Sequence, residues 1–209
     1  MRGTRIGFVV IILLSAAVGC TDHRDVSTPT EPVSTPILAP STPTSVVVMT
    51  LVDVPIAVDV TAGYTGTWNF AGQSVTAPGT GAFNNIRFNW YGGKDVPTAF
   101  GTLYLVGQEY LGLPRDLGPS TPGFVARSER VLSGEYVFPS TVTLRGGVQY
   151  WFYTDTMGSF TASFDTDIYP GGTFYVTGYP TLAFHRSPTS GPVSRDANFK
   201  LQGAAVSNP

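Results

Sequence analysis

Ile86-Arg87-Phe88-Asn89-Trp90 decides the fold class. Its first, third and fifth residues are apolar and the two between them are polar. An extended strand turns successive side chains to opposite faces, so this pentad has one dry face and one wet one. Phe160-Thr161-Ala162-Ser163-Phe164 alternates in the same way. Further short runs suited to strands cover residues 46–52, 56–60, 67–70, 101–106, 123–128, 135–138, 141–144, 148–154, 173–177, 181–185 and 197–202. Turn residues separate most of them, including Pro78-Gly79, Gly92-Gly93, Pro122-Gly123, Gly146-Gly147 and Pro170-Gly171-Gly172. With 24 Gly, 17 Pro, 13 Phe and 10 Tyr in 209 residues and no helical period, the composition favours strands joined by tight turns. The pattern predicts an all-β antiparallel sandwich of jelly-roll type over residues 46–209, with no second boundary inside it.

The second half carries a resemblance. Leu144-Arg145-Gly146-Gly147-Val148-Gln149-Tyr150-Trp151-Phe152 precedes Tyr169-Pro170-Gly171-Gly172-Thr173-Phe174-Tyr175, and Asp196-Ala197-Asn198-Phe199-Lys200-Leu201-Gln202-Gly203 closes the series. This order resembles the jelly-roll modules of bacterial surface and secreted proteins, which are similar to carbohydrate-binding β-sandwiches. It covers residues 142–203, and its motifs are mostly structural. The resemblance implies a sandwich fold and leaves the activity open.

At the other end, Arg2 and Arg5 precede an apolar run from Ile6 to Leu14, and Ser15-Ala16-Ala17-Val18-Gly19 leads into Cys20, the chain's one cysteine. A basic head, a short apolar core and small residues describe an export signal. The run is shorter than the roughly 20 apolar residues that a membrane-spanning helix needs. Small residues ending in cysteine resemble the bacterial lipobox, although Ala17 stands where leucine is usual. That resemblance implies lipidation of Cys20, removal of residues 1–19, and a membrane partner in the bacterial cell envelope. An ordinary secretory signal is the alternative, but it leaves an unpaired thiol in an exported protein. Residues 20–45 hold Pro29, Pro32, Pro36, Pro40 and Pro43 among serines and threonines. Such a tract buries too little apolar surface to fold. As an extended tether, its 26 or so residues would reach roughly 80 Å; a tail without a spacing role is the other reading.

Loss of Arg2 and Arg5 with the signal leaves ten Lys and Arg against fourteen Asp and Glu, a formal charge of −4. That balance argues against a nucleic-acid partner, which needs a basic footprint. The two histidines are His23 in the tether and His185 beside Arg186, with no Gly-x-Ser-x-Gly elbow, so a Ser-His-Asp triad has no support. Asp165 and Asp167 bracket Thr166, and in a strand both would face one side. They are the candidate ligands for calcium, which takes six to eight oxygens; capping of a turn is the plainer role. The carboxylates Glu109, Glu129, Glu135, Asp155 and Asp165 are the stock from which a glycoside hydrolase pair would be drawn.

Aromatic rings are the remaining lead, because sugars lay their apolar C–H faces on flat rings. Trp151, Tyr153, Tyr169 and Tyr179 are the candidate ligand-binding residues, with Trp68, Trp90, Tyr91 and Tyr110 as further rings. Core packing is the competing role for each. The expectation is a non-catalytic surface lipoprotein binding a glycan or another envelope component. A structural or protein-interaction module is the alternative, and a carboxylate-dependent enzyme acting on polysaccharide stands behind both.

Overall fold

A computed structural model describes residues 46–54, 63–65, 69–92, 96–98, 101–132, 134–158, 160–163, 167–187 and 195–206. All of them belong to the compact unit Thr44–Pro209. Cys20, the tether, Trp68, Phe164 and Asp165 lie outside the described residues.

In chain order the strands are β1 (Met49–Val54), β2 (Gly63–Thr65), β3 (Phe70–Thr76), β4 (Ala82–Gly92), β5 (Val96–Thr98), β6 (Leu103–Val106), β7 (Phe124–Arg127) and β8 (Arg130–Leu132). They continue as β9 (Glu135–Val137), β10 (Leu144–Arg145), β11 (Gln149–Thr154), β12 (Thr161–Ser163), β13 (Phe174–Thr177), β14 (His185–Arg186) and β15 (Phe199–Ala205). One sheet runs β1-β15-β4-β9-β8, with β5 and β10 also paired to β4, and the other runs β14-β13-β3-β11-β6-β7. β2 and β12 make a separate ribbon. The pairings are antiparallel, so the chain is an all-β sandwich.

The alternating pentad is the middle of β4. Ile86, Phe88 and Trp90 are fully buried, whereas Arg87 and Asn89 are partly exposed. Phe88 stacks on Phe152 of the facing sheet at 4.6 Å and on Phe199 of its own sheet at 5.5 Å, and meets Trp90 edge-on at 4.7 Å. Each such ring contributes roughly 1.5–3 kcal/mol through burial alone. The core between the sheets is completed by Leu103, Leu105, Leu144, Phe174 and Leu201, among others.

Three expectations need correction. Residues 141–143 are not strand, and pairing there begins only at Leu144. The run ending at Phe70 does not stop there: it continues as β3, a central strand of the second sheet. Ala71-Gly72-Gln73-Ser74 looks like loop sequence because it lacks large apolar residues. It pairs with β11 on one side and β13 on the other, and its buried Gln73 amide finds partners: Nε2 donates to Asp196 Oδ1 and to Ser74 O, both at 3.0 Å, and Oε1 accepts from the Ala197 N–H at 2.8 Å. Residues 181–185 are not a strand. They form a turn that delivers Phe184 to the protein interior, and pairing begins only at His185.

The second sheet also has a covered outer face. The chain between β6 and β7 closes on itself, with the Gly107 N–H donating to Gly123 O at 2.7 Å. This connection folds back over the sheet, and the Phe184 N–H donates to Gly112 O at 2.9 Å. A second cluster of Phe70, Tyr104, Val106, Leu117, Tyr153, Tyr175 and Phe184 fills the space.

Candidate functional site

Antiparallel register places the aromatic residues. Tyr104, Tyr153, Gly72, Tyr175 and Arg186 face one another in sequence across β6, β11, β3, β13 and β14. Residues paired in this way share a face of the sheet. A neighbouring row on that face holds Val106, Trp151 and Ser74. Gly72 is what allows the first row to close. A Cβ there would stand 2.5 Å from Tyr153 Cε1 and 3.2 Å from Tyr175 Cβ. Without one, the Tyr153 ring spans β3 and reaches Tyr175 at a centroid distance of 5.5 Å.

A hydrogen-bonded chain then runs from the cluster to the surface. Trp151 Nε1–H donates to the Tyr175 hydroxyl at 3.1 Å, and that hydroxyl donates to Glu109 Oε1 at 2.8 Å. Arg186 grips the same carboxylate with both prongs, Nε to Oε1 at 2.6 Å and Nη2 to Oε2 at 2.8 Å. The Arg186 hydrogen bond holds the Glu109 carboxyl below the usual range against the opposing effect of burial, and the Tyr175 hydroxyl adds to it. Burial pushes the Tyr175 phenol up, and the Glu109 carboxylate pushes it further. Glu109, Tyr175 and Arg186 are therefore a charged, fixed bracket behind the indole.

The four candidate rings have different fates. Trp151 is half-buried and packs against the second cluster. Beside it Gln149 is exposed, and its Nε2 makes long bonds, 3.3 Å to Ser74 Oγ and 3.5 Å to Gly171 O. Tyr153 is fully buried and receives the Tyr110 N–H on its hydroxyl at 3.2 Å, so it anchors the covering connection and is not an exposed ring. Tyr169 is half-buried. Its hydroxyl donates to Thr76 O at 2.9 Å and accepts the Thr76 N–H at 3.2 Å, and its ring meets Phe199 edge-on. Tyr179 is 64% exposed in the turn after β13. Of the further rings, Trp90 is core.

Asp167 is exposed, and its described carboxylate partner is Asp196, a buried residue that sequence reasoning missed. Asp196 also accepts the Tyr169 N–H at 2.9 Å. Burial pushes its carboxyl up to about 6, and Asp167 adds to the shift, while the bonds from Tyr169 and Gln73 oppose it. Among the described residues, no three His, Cys, Asp or Glu side chains gather around one point. Three of the hydrolase carboxylates have separate partners: Glu109 is held by Arg186, Glu135 by Arg87 at 3.1 Å, and Asp155 accepts from the Thr102 N–H at 2.8 Å.

A groove of about 730 Å³ lies along β7, lined by Phe124, Ala126, Arg127, Glu129, Pro139 and Thr141. A hollow of about 420 Å³ shares Glu129, Pro139 and Thr141 with it and is bordered by Asn85, a non-glycine residue at φ 50°. No sequence signal marked this groove, because its walls come from segments without a common motif.

The fold and this face define an antiparallel β-sandwich whose second sheet carries a covered aromatic cluster on its outer side. No protein-family model, curated protein or solved structure matches the chain.

Proposed function

We propose that this chain is a non-catalytic, lipid-anchored module of the bacterial cell envelope, attached through Cys20 and residues 20–45, whose jelly-roll-type sandwich binds a glycan on its second sheet. The observation that carries the reading is the half-buried indole of Trp151. It is fixed at Nε1 by Tyr175 and flanked by the re-orientable Gln149 amide. Ring stacking needs a rigid exposed face, and sugar hydroxyls need nearby polar groups that can exchange partners. The test is affinity electrophoresis of the full chain, carrying Cys20→Ser to prevent lipidation, against a polysaccharide panel with and without a calcium chelator. Retardation that Trp151→Ala removes supports the reading, and chelator sensitivity assigns Asp165 and Asp167 to the site. No retardation across the panel refutes it.

The groove beside β7 favours a second reading, a structural or protein-interaction module. Under that reading the glycan gels are blank, and crosslinking on intact cells gives adducts that Thr141→Trp, which fills the groove, abolishes.

A further inference from the structure

We infer that the ligand of the Trp151 face is an uncharged polysaccharide; this rests on the glycan-binding reading above and narrows it to a chemical class. The argument comes from how the charges on this face are already used. The cation nearest the indole along the hydrogen-bonded chain is Arg186, and both prongs of its guanidinium are spent on Glu109 at 2.6 and 2.8 Å. This two-pronged pair uses two of the five guanidinium N–H donors and sets the Glu109 carboxylate directly against the cation, so its charge is compensated. An acidic sugar laid on the ring would also approach the Glu109 carboxylate, which stays ionised because Arg186 and Tyr175 both stabilise its charged form.

The other end of the aromatic row repeats the pattern. Arg127 is paired in register with Tyr104 and interacts with the Tyr104 hydroxyl, which also lies 3.4 Å from Asp155 Oδ2. At both ends, then, a cation sits beside a carboxylate and a tyrosine hydroxyl. Lysine and arginine gather anionic polymers only where their field is uncompensated. Among the described residues at the Trp151 rim, the exposed group with exchangeable hydrogen bonds is the neutral Gln149 amide, which touches the buried Ser74 hydroxyl. A neutral hydroxyl-rich chain meets this amide without displacing an ion pair.

The test runs the full Cys20→Ser chain through gels containing neutral glucan, mannan or xylan, and through gels containing alginate or polygalacturonate, each at low and high salt. The expected result is retardation by a neutral polymer that salt leaves unchanged, weakened about tenfold or more by Trp151→Ala, as for a central anchor ring. Gln149→Ala is the second variant. Its side chain is exposed and outside the packed cluster, so weakening there cannot be ascribed to misfolding. Retardation confined to alginate or polygalacturonate and relieved by salt overturns the uncharged class while the glycan reading stands. Mobility unchanged in every gel overturns the glycan reading and this inference with it.

Discussion

Gly72→Ala is expected to destabilise the sandwich, although alanine has no backbone reason to be worse than glycine in a strand. The new methyl group would stand 2.5 Å from Tyr153 Cε1 and closer still to Cδ1, well inside contact distance. Tyr153 has no room to give way. It is fully buried and hemmed in by Phe184 at 4.9 Å, Tyr175 at 5.5 Å and Tyr110 at 5.9 Å. Overpacking of this kind costs about 1–3 kcal/mol. Lifting the ring also strains the bond from the Tyr110 N–H, worth about 1 kcal/mol more. The total, about 2–4 kcal/mol, corresponds to a fall in Tm of about 4–15 °C for a domain of this size. Thermal unfolding of Gly72→Ala, Tyr153→Ala and the double variant measures it as a cycle. If the clash is the cause, Gly72→Ala costs little once the ring is gone, and the two changes are strongly non-additive. A Tm within about 1 °C of the parent, or an equal loss with and without Tyr153, would refute the reasoning.

Asp196 predicts a pH dependence of stability. Its carboxyl lies near 6 in the fold against an ordinary 3.8, so between those values the folded state holds the extra proton. Stability therefore falls as pH rises from about 4 through about 6, by about 1–3 kcal/mol, and levels off above. Asp196→Asn, followed by unfolding across that range, should flatten the slope; an unchanged slope would place its origin elsewhere. The Glu109–Arg186 pair is open to solvent on its Arg186 side, with side chains 27% and 64% exposed, so Glu109→Gln should cost about 1 kcal/mol or less in denaturant unfolding despite the short distances. A loss of several kcal/mol would show that the bracket supports the covering connection. Cys20→Ser should move the protein from the membrane fraction to the soluble one and abolish incorporation of labelled fatty acid. Continued labelling would contradict lipidation at Cys20.

Much of the fold was legible in the residues because its determinants are local. Period-two alternation in β4 named Ile86, Phe88 and Trp90 as one face, and all three are buried between the sheets. Several residues of the quoted second-half segments have structural roles. Leu144 and Phe199 are core, the Tyr150 hydroxyl accepts the Arg145 N–H at 3.0 Å, and Asp196 ties Gln73 to the Tyr169 turn.

Other features depended on segments far apart in sequence. Gly72-Gln73-Ser74 carries no strand signal; it is a central strand paired with β11 and β13, and its buried glutamine is satisfied in part by a carboxylate 123 residues away. Strand geometry puts Trp151 and Tyr153 on the same side of β11, but it does not say that the connection after β6 buries Tyr153 fully and leaves Trp151 half-buried. For Asp167, the described partner came from Asp196, 29 residues further on, with its intended neighbour Asp165 beyond the described residues. By itself the sequence determined which side chains share a face, since that follows from strand geometry one residue at a time. Only the tertiary structure decided which face is covered and which polar group finds a partner, because burial depends on what the rest of the chain lays across it.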